Sequence, residues 1–505
     1  GDVTYGHRIH HPEAITIALP NIYEDKLEQE GCVIANFAKR QQLIKQGIID
    51  LAQKEHAEPV IDQALLDLVT GLVEFPIALL ATFAADFLRV PKECLISAMQ
   101  DHQKCFALLD TQGNLLPKFI LISNIESIDP KAVIHGNELV MTARLADAAF
   151  HYDNDQKSTL ESRVAKLKTI VYQKQLGSLY DKVTRIEQLS SYLAPLLSAD
   201  QKHVQRAAHL CKADLLTNMV YEFPELQGIM GYYYALHDKE PKDVAIAIQE
   251  HYKPRTASDD LPDSKCGIAV AIADRVDTLV GFFGIGNVPT GEKDPFALRR
   301  QALAIVRILI EKNINLDLRA LMQTAVKNYA GKIKDSTDEL MQFCFERLKA
   351  WYLANGVQAR TFDAVLFSNP NNPLDFNKRI YAVTAFQKLP AAASLAAANK
   401  RVQNILEKNS SNAQRTEINA QLISSPEEKQ LLNDITSKEV EIAPLMQQAD
   451  YTSVLQSLAS LQAPVDNFFD KVMVMVDDEK VRNNRLNLLH RLRNLFIQVA
   501  DISLL

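Results

Sequence analysis

Apolar residues recur at three- and four-residue steps along most of this chain, the spacing of helices that bury one face. Residues 33–55 predict one helix, and 60–80 predict one or two more. Phe106-Ala107-Leu108-Leu109-Asp110 and Lys118-Phe119-Ile120-Leu121-Ile122-Ser123 read instead as two strands. Between them Gly113 and Asn114 supply the residues a tight turn favours. This is the one convincing hairpin, so an α+β region is expected over residues 1–150. From about residue 135 onward the pattern is almost wholly helical.

Two polar breaks divide the helical part. Ser368-Asn369-Pro370-Asn371-Asn372-Pro373 cannot continue a helix, and Lys408-Asn409-Ser410-Ser411-Asn412 reads as a loop. Helix resumes where Ser425 can cap, Pro426 suits the first helical position and Glu428 completes a capping box. Farther on, Val465, Phe468, Phe469, Val472, Met473 and Val476 form an amphipathic stripe, and Asp477-Asp478-Glu479 offers a cap to a last helix over roughly 480–500. Leu488, Leu492, Leu495 and Val499 make the buried stripe of that helix.

Bulk composition narrows the classes. The 505 residues suggest two to four domains, and 47% hydrophobic with 23% charged is an ordinary globular balance. No run of 18 uninterrupted apolar residues predicts a membrane span, and no signal peptide opens the chain. The start at Gly1, without Met, suggests a processed chain or a fragment. Six scattered cysteines form no CxxC pair, so reduced buried thiols in a cytoplasmic protein are expected. A net charge of −7 is unlike a nucleic-acid coat, although a local basic patch can still hold phosphates.

Such patches exist. Residues 157–185 carry Lys157, Arg163, Lys166, Lys168, Lys174, Lys182 and Arg185 against Glu161 and Asp181. A solvated helix face is the plain reading, and RNA-backbone contact the sharper one. The last helix has Lys480, Arg482, Arg485, Arg491 and Arg493 and no acid from 480 to 500. On a helical wheel Arg482, Arg485 and Arg493 fall within about 80° of one another beside the apolar stripe. Arg485 lies nearest the core, either as a partner for Asp466 or Asp470 or as an RNA ligand; Arg482 and Arg493 suit RNA better. The alanine-rich helix near 391–398 continues into Asn399, Lys400, Arg401 and Asn404, whose amide, ammonium and guanidinium groups fit base edges and phosphates.

Two motifs mislead. Gly286-Asn287-Val288-Pro289-Thr290-Gly291-Glu292-Lys293 resembles a P-loop, but Glu292 separates Gly from Lys, Asp294 replaces the metal-binding hydroxyl, and the preceding segment is helical. What remains is a turn opening a helix, with Asp294 as cap and Pro295 in its first position; Lys293, Arg299 and Arg300 could meet a phosphate there, and a structural turn fits equally well. His237-Asp238 spells the dipeptide of HD-domain phosphohydrolases but reads as a surface turn. A better HD-like frame runs through Lys212, Ala213 and Asp214 to Asp274; it lacks the central His, which would leave a metal poorly held. No motif for adenylate formation or nucleophilic hydrolysis is visible, so no catalytic residue is assigned.

Specific words then accumulate. Gly6-His7-Arg8-Ile9-His10-His11-Pro12-Glu13-Ala14-Ile15, Leu72-Val73-Glu74-Phe75-Pro76, Ser123-Asn124-Ile125-Glu126-Ser127, Gly136-Asn137-Glu138 and Arg144-Leu145-Ala146-Asp147-Ala148 resemble segments of bacterial glycyl-tRNA synthetase β subunits. So do the stretch from Glu222 to Gly231, Lys293-Asp294-Pro295-Phe296-Ala297-Leu298-Arg299-Arg300, and the terminal Val-Ala-Asp-Ile-Ser-Leu-Leu. The departures are His151, where the family tends to have an aromatic, and the sizeable segment that family members carry before the Gly-His-Arg motif.

The resemblance implies a mainly α, multidomain chain. Its expected parts are a phenylalanyl-synthetase-β-like α+β region over 1–150, a degenerate HD-like helical domain over 151–315, a helical connecting body over 316–390, and an anticodon-binding helical bundle over 391–505, similar to that of arginyl-tRNA synthetase. It implies an α2β2 class II enzyme in which the α subunit uses ATP and Mg to make glycyl-adenylate while this chain holds tRNA(Gly) and binds no cofactor or metal itself. It also implies that one of the basic C-terminal helices faces the anticodon loop. A metal-dependent HD-type phosphohydrolase and a helical scaffold with no RNA role are the competing classes.

Overall fold

The computed structural model describes residues 2–368, 371–409 and 418–505, and it is mainly helical. Two compact units are present, and both are discontinuous in sequence. One comprises Gly1–Ile170 with Leu210–Gln249, the other Val171–His209 with Glu250–Leu505. The chain therefore passes between units at 170, 209 and 249. The helix Pro130–Asp155 runs unbroken through the expected boundary at 150.

The first unit is built on a four-stranded antiparallel sheet, in the order Glu58–Pro59, Phe106–Leu109, Leu115–Ser123, Ile77–Thr82. The expected hairpin forms. The Asp110 carboxylate accepts from Gln112 N and Asn114 N at 2.8 Å each and so shapes the turn. Helices Phe37–Lys54 and Gln63–Leu72 cover the sheet, capped by Asn36 and Asp62. Ile44, Ile48, Leu66 and Val69 bury against Phe106, Leu108 and Ile120.

Two sequence expectations change here. The helical expectation for 60–80 fails at its end, where Ile77–Thr82 is a strand, paired from Ile77 opposite Ser123 to Thr82 opposite Lys118. Five apolar residues in a row carry no period, and Pro76 ends any helix before them. Small two-stranded ladders also form at Val3–Tyr5 with Ala14–Thr16 and at Val171–Gln173 with Gly177–Ser178. The second splits the basic stretch 157–185 into a short helix Leu160–Val164, a 3-10 turn Ala165–Thr169, the hairpin, and the start of helix Leu179–Leu196.

The second unit is organised around helix Lys265–Gly284, buried along nearly its whole length and packed by Leu179–Leu196, Leu298–Glu311 and Leu318–Asn328. Helices Thr337–Ala354, Ala359–Leu366 and Pro373–Phe386 follow. Asn372 caps the last of these, at the polar break expected near 368–373; Asn369 and Pro370 of that break lie outside the described residues. The C-terminal bundle comprises Ala392–Lys408, Pro426–Gln447, Tyr451–Leu458, Gln462–Lys471 and Glu479–Ile497. The first of these ends at Lys408 as expected, and residues 410–417 of the following loop lie outside the described residues. Ser425, Pro426 and Glu428 form the expected capping box, and Asp478 caps the last helix. Among the described residues no helix is long and apolar enough to cross a membrane. Cys94, Cys105, Cys211, Cys266 and Cys344 are buried and Cys32 half-buried, all as free thiols.

Candidate nucleic-acid interface

The C-terminal bundle sorts its basic side chains sharply. In helix Ala392–Lys408 the positions Leu395, Ala398, Asn399 and Val402 face the core. Asn399 is thus withdrawn from the RNA candidates: it is 2% exposed and its Nδ2 donates to Leu395 O at 3.0 Å. Lys400, Arg401 and Asn404 face outward. The Arg401 guanidinium lies 4.5 Å above the Phe469 ring, a cation–π contact, and among the described residues it has no carboxylate partner.

On helix Glu479–Ile497 the outcome is largely structural. Arg485 is buried and its Nε donates to Glu428 Oε1 at 2.6 Å, while its terminal nitrogens reach Met473 O and Ser424 Oγ. Its partner is Glu428, not Asp466 or Asp470. Arg493 donates to the buried carboxylate of Asp501 at 2.7 Å and lies over Phe367, pinning the chain terminus. Arg491 is gripped by both oxygens of Glu439. Arg482, half-buried, donates to Val476 O at 3.0 Å. Arg493, expected as an RNA ligand, is thus a structural partner, and its loss is expected to cost stability. The amphipathic stripe at 465–476 is shorter than expected, since helix Gln462–Lys471 stops before Val472.

In the basic stretch 157–185 three of the cations are internal. Arg163 is buried and donates to Asp155 O at 2.6 Å. Lys182 reaches Asp274 Oδ1 at 2.7 Å and Asp277 Oδ2 at 3.2 Å, and Arg185 reaches Asp277 Oδ1 at 2.6 Å. Burial works against the Lys182 ammonium, but Asp274, Tyr172 and Asp277 outweigh it and hold its pKa well above the usual lysine range. Lys166 and Lys174, in contrast, are exposed.

At the Gly-rich turn, helix begins at Leu298, three residues later than Pro295. Asp294 still caps it, accepting from Leu298 N and Arg299 N at 2.8 and 2.9 Å. Those are the N–H groups a phosphate would need, so this helix start is already satisfied. Arg299 folds back onto Gly291 O and Arg300 onto Arg255 O, leaving Lys293 outward.

The HD-like frame is divided between the two units, Lys212 and Asp214 in one and Asp274 in the other. Asp274 is neutralised by Lys182 within its own unit. Asp214 is fully buried, and its Oδ2 accepts from Gly228 N at 2.6 Å and Gly231 N at 3.2 Å. This explains two glycines of the stretch 222–231. Gly228 has a φ of +82°, and a Cβ on Gly231 would stand 2.5 Å from Ile248. Among the described residues no group of three or more His, Cys, Asp and Glu side chains is arranged to hold a metal ion.

Burial pushes Asp214 up from 3.8 to about 6, against the pull of its backbone donors and Lys212, and its Oδ1 lies buried without a partner. A folded pKa above the unfolded one makes this group's contribution to stability complete below about pH 4 and lost as pH rises through about 6. An Asp214→Asn variant should therefore show a flatter rise in unfolding free energy between pH 7.5 and pH 5 than the parent, by about 1–1.5 kcal/mol. Parallel midpoint-versus-pH curves for the two proteins would sink that assignment.

Sequence reasoning missed one feature of the bundle. Asn487, His490 and Asn494 recur at three- and four-residue steps on helix Glu479–Ile497 and share an open cleft with Asn433, Thr436 and Ser437 of helix Pro426–Gln447. Counting cations passed over these uncharged side chains, although their spacing marks one helix face.

The bundle that carries the exposed Arg401 matches a family model described as the DALR anticodon binding domain over residues 395–502, which defines it as a helical tRNA-recognition module by class. Residues 1–367 match the model of the glycyl-tRNA synthetase beta subunit. The chain is 51% identical over 504 residues to the glycine–tRNA ligase beta subunit of Coxiella burnetii (strain RSA 493 / Nine Mile phase I), covering 99% of this chain and 73% of the relative. It is 48% identical over 507 residues to that of Marinobacter nauticus, covering 100% and 73%, and 47% identical over 507 residues to that of Pseudomonas putida (strain W619), covering 100% and 74%. The chain belongs to the glycyl-tRNA synthetase beta subunit family.

Proposed function

We propose that this chain is the tRNA-binding β subunit of a cytoplasmic glycine–tRNA ligase, assembling with an α subunit as α2β2. Glycine, ATP and Mg are handled by the α subunit; this chain supplies the surface that holds tRNA(Gly). The observation that carries the reading is the match of residues 395–502 to an anticodon-binding domain on a bundle whose Arg401 stands outward, stacked on Phe469 and paired with no acid among the described residues. A guanidinium plane held in this way can stack on an RNA base or meet a phosphate without first being ordered. Lys400 and Asn404 flank it, and Lys166, Lys174 and Lys293 are further exposed cations for the phosphate backbone. The four-part division near 150, 315 and 390 is part of the proposal.

The hydrolase reading loses its support. The Asp274 carboxylate is engaged by Lys182, and Asp214 by two backbone N–H groups.

Two measurements test the proposal. The chain alone is expected to give no glycine-dependent ATP–pyrophosphate exchange, and to enable glycylation of tRNA only when the α subunit is added. Robust exchange without α would overturn it. Arg401→Ala is expected to weaken tRNA binding by about 1–3 kcal/mol if the side chain reads a base, or to lower the salt slope by about one unit if it meets phosphate. Affinity and salt slope both unchanged would remove this helix from the interface.

A further inference from the structure

Helix Pro130–Asp155 is apolar on two opposite sides. Met141, Leu145, Ala148 and Ala149 are buried. The other side carries Ala132, Gly136, Leu139, Ala143, Ala146 and Phe150, all exposed, with Leu139 at 59% and Phe150 at 63%. Their steps of 4, 3, 4, 3 and 4 residues place them within about 80° of one another, the seam spacing of a coiled coil. The seam holds no charge over roughly 27 Å of helix. A phosphate backbone has nothing to grip there, whereas a second helix does. Gly136 sharpens the point. Glycine is a poor residue inside a helix, yet a Cβ at this position would meet nothing within 4 Å in the chain itself. The chain's own packing gives no reason for it; a backbone brought close from outside does.

The seam is complementary to itself. Laid antiparallel on a second copy about a two-fold axis, it sets Phe150 against Ala132, Leu139 against Ala143 and Gly136 against Ala146. Large meets small at two levels, and small meets small where the backbones come closest. Antiparallel helices also align their dipoles favourably. A two-fold axis brings the same flank of both helices together. On one flank stand Lys131, exposed, and Asp153, which Arg89 already bridges at 2.6 Å. Their helical phases differ by about 40°. Across the axis, Lys131 of one copy lies two residues, roughly 3 Å, from the level of Asp153 of the other, within reach of its ammonium. We infer that this helix is a self-association seam. Two copies of the chain pair through it antiparallel, Leu139 and Phe150 seated on the alanines of the other copy and Lys131 meeting Asp153 at both ends. A seam one helix long is smaller than the roughly 1,200–2,000 Å² that stable interfaces bury, so the dimer forms only as concentration rises through the micromolar range. The inference does not depend on the tRNA-binding reading.

Sedimentation velocity of the full chain, from low to high micromolar concentration, tests it. The parent is expected to pass from monomer to dimer. Gly136→Leu and Leu139→Glu are each expected to weaken the dimer roughly 10- to 100-fold. Their melting midpoints should stay at the parent value, because both positions are exposed in the monomer. Lys131→Glu alone and Asp153→Lys alone each set like charges opposite one another at both ends, and each is expected to weaken the dimer roughly 3- to 10-fold. Mixing these two variants restores opposite charges at both ends, so the mixture is expected to dimerise as the parent does. A parent chain that stays monomeric at every concentration would overturn the inference. So would a dimer that Gly136→Leu and Leu139→Glu leave intact. Failure of the mixture to recover would overturn the antiparallel register and the inference with it. If the two seam variants abolish assembly with the α subunit while the parent alone is monomeric, the seam is the α subunit's seat. The inference then falls and the tRNA-binding reading stands.

Discussion

Asp277→Ala is expected to cost the second unit about 3–5 kcal/mol, a large share of the 5–15 kcal/mol that usually separates folded from unfolded states. Asp277 is 1% exposed and accepts from both Arg185 and Lys182, which are themselves buried. Removing it leaves Lys182 with the carboxylate of Asp274 and takes from Arg185 its carboxylate partner. The rings around them cannot compensate: Arg185 lies 4.1 Å from the Tyr329 centroid and Lys182 4.8 Å from that of Tyr172, contacts worth a fraction of a buried ion pair. The Tyr329 hydroxyl also donates to Asp277 O at 2.9 Å, tying helix Leu318–Asn328 and its C-terminal turn to the same point of helix Lys265–Gly284. Thermal unfolding followed by circular dichroism should show the loss as a lower transition of the order of 10 °C, or as insoluble protein. Asp277→Asn, which keeps the shape and one acceptor, should fall between the two. A midpoint equal to that of the parent would mean the network is not sealed from solvent.

That network also shows where the sequence stops being legible. Helix periods, caps and the 106–123 hairpin are local, and Asn36, Asp62, Ser425 and Asp478 each announce a helix within four residues. The strand Ile77–Thr82 is not local, because its six residues suit either structure until pairing with Leu115–Ser123 decides. Charge is the least legible property. Lys182 and Arg185 stand in a basic run, but their acids are more than ninety residues away, on helix Lys265–Gly284. A linear count of cations therefore overstated the surface available to RNA. Asn399 is a different kind of miss: Leu395, Ala398 and Val402 fix its face, so its burial was readable from helical phase alone. The amide-lined cleft was readable too, but only by attending to uncharged residues at helical spacing.

The same distinction between surface and interior charge sets the expectation for Arg485. Arg485→Ala should destabilise the C-terminal bundle by about 3–5 kcal/mol while leaving tRNA affinity unchanged wherever the bundle remains folded. Glu428 is 1% exposed and serves two purposes at once. It completes the capping box with Ser425, accepting from Ser425 N at 3.0 Å, and it pairs with Arg485 across 57 residues of chain. Burial alone would raise its pKa, but Arg485 and the backbone donors of Ser424 and Ser425 win, and the carboxyl is held below its usual range. The pair's stabilisation is therefore present above about pH 4.5 and lost as pH falls through the lowered value. In the variant, a buried carboxylate loses the guanidinium, so the acid-side loss of stability should flatten and the midpoint at pH 7 should drop. Arg485→Lys should recover little, since an ammonium cannot reach both carboxylate oxygens, Ser424 Oγ and Met473 O from one fixed fork. The contrast is Arg401→Ala: Arg401 touches no acid among the described residues, so the substitution should change tRNA binding at constant stability. Urea unfolding at pH 7 and at pH 4, with tRNA affinity measured at a temperature where each variant is folded, separates the two. If Arg485→Ala weakened tRNA binding and left the urea midpoint where it was, the Glu428 pair would be incidental and Arg485 would belong to the RNA surface after all.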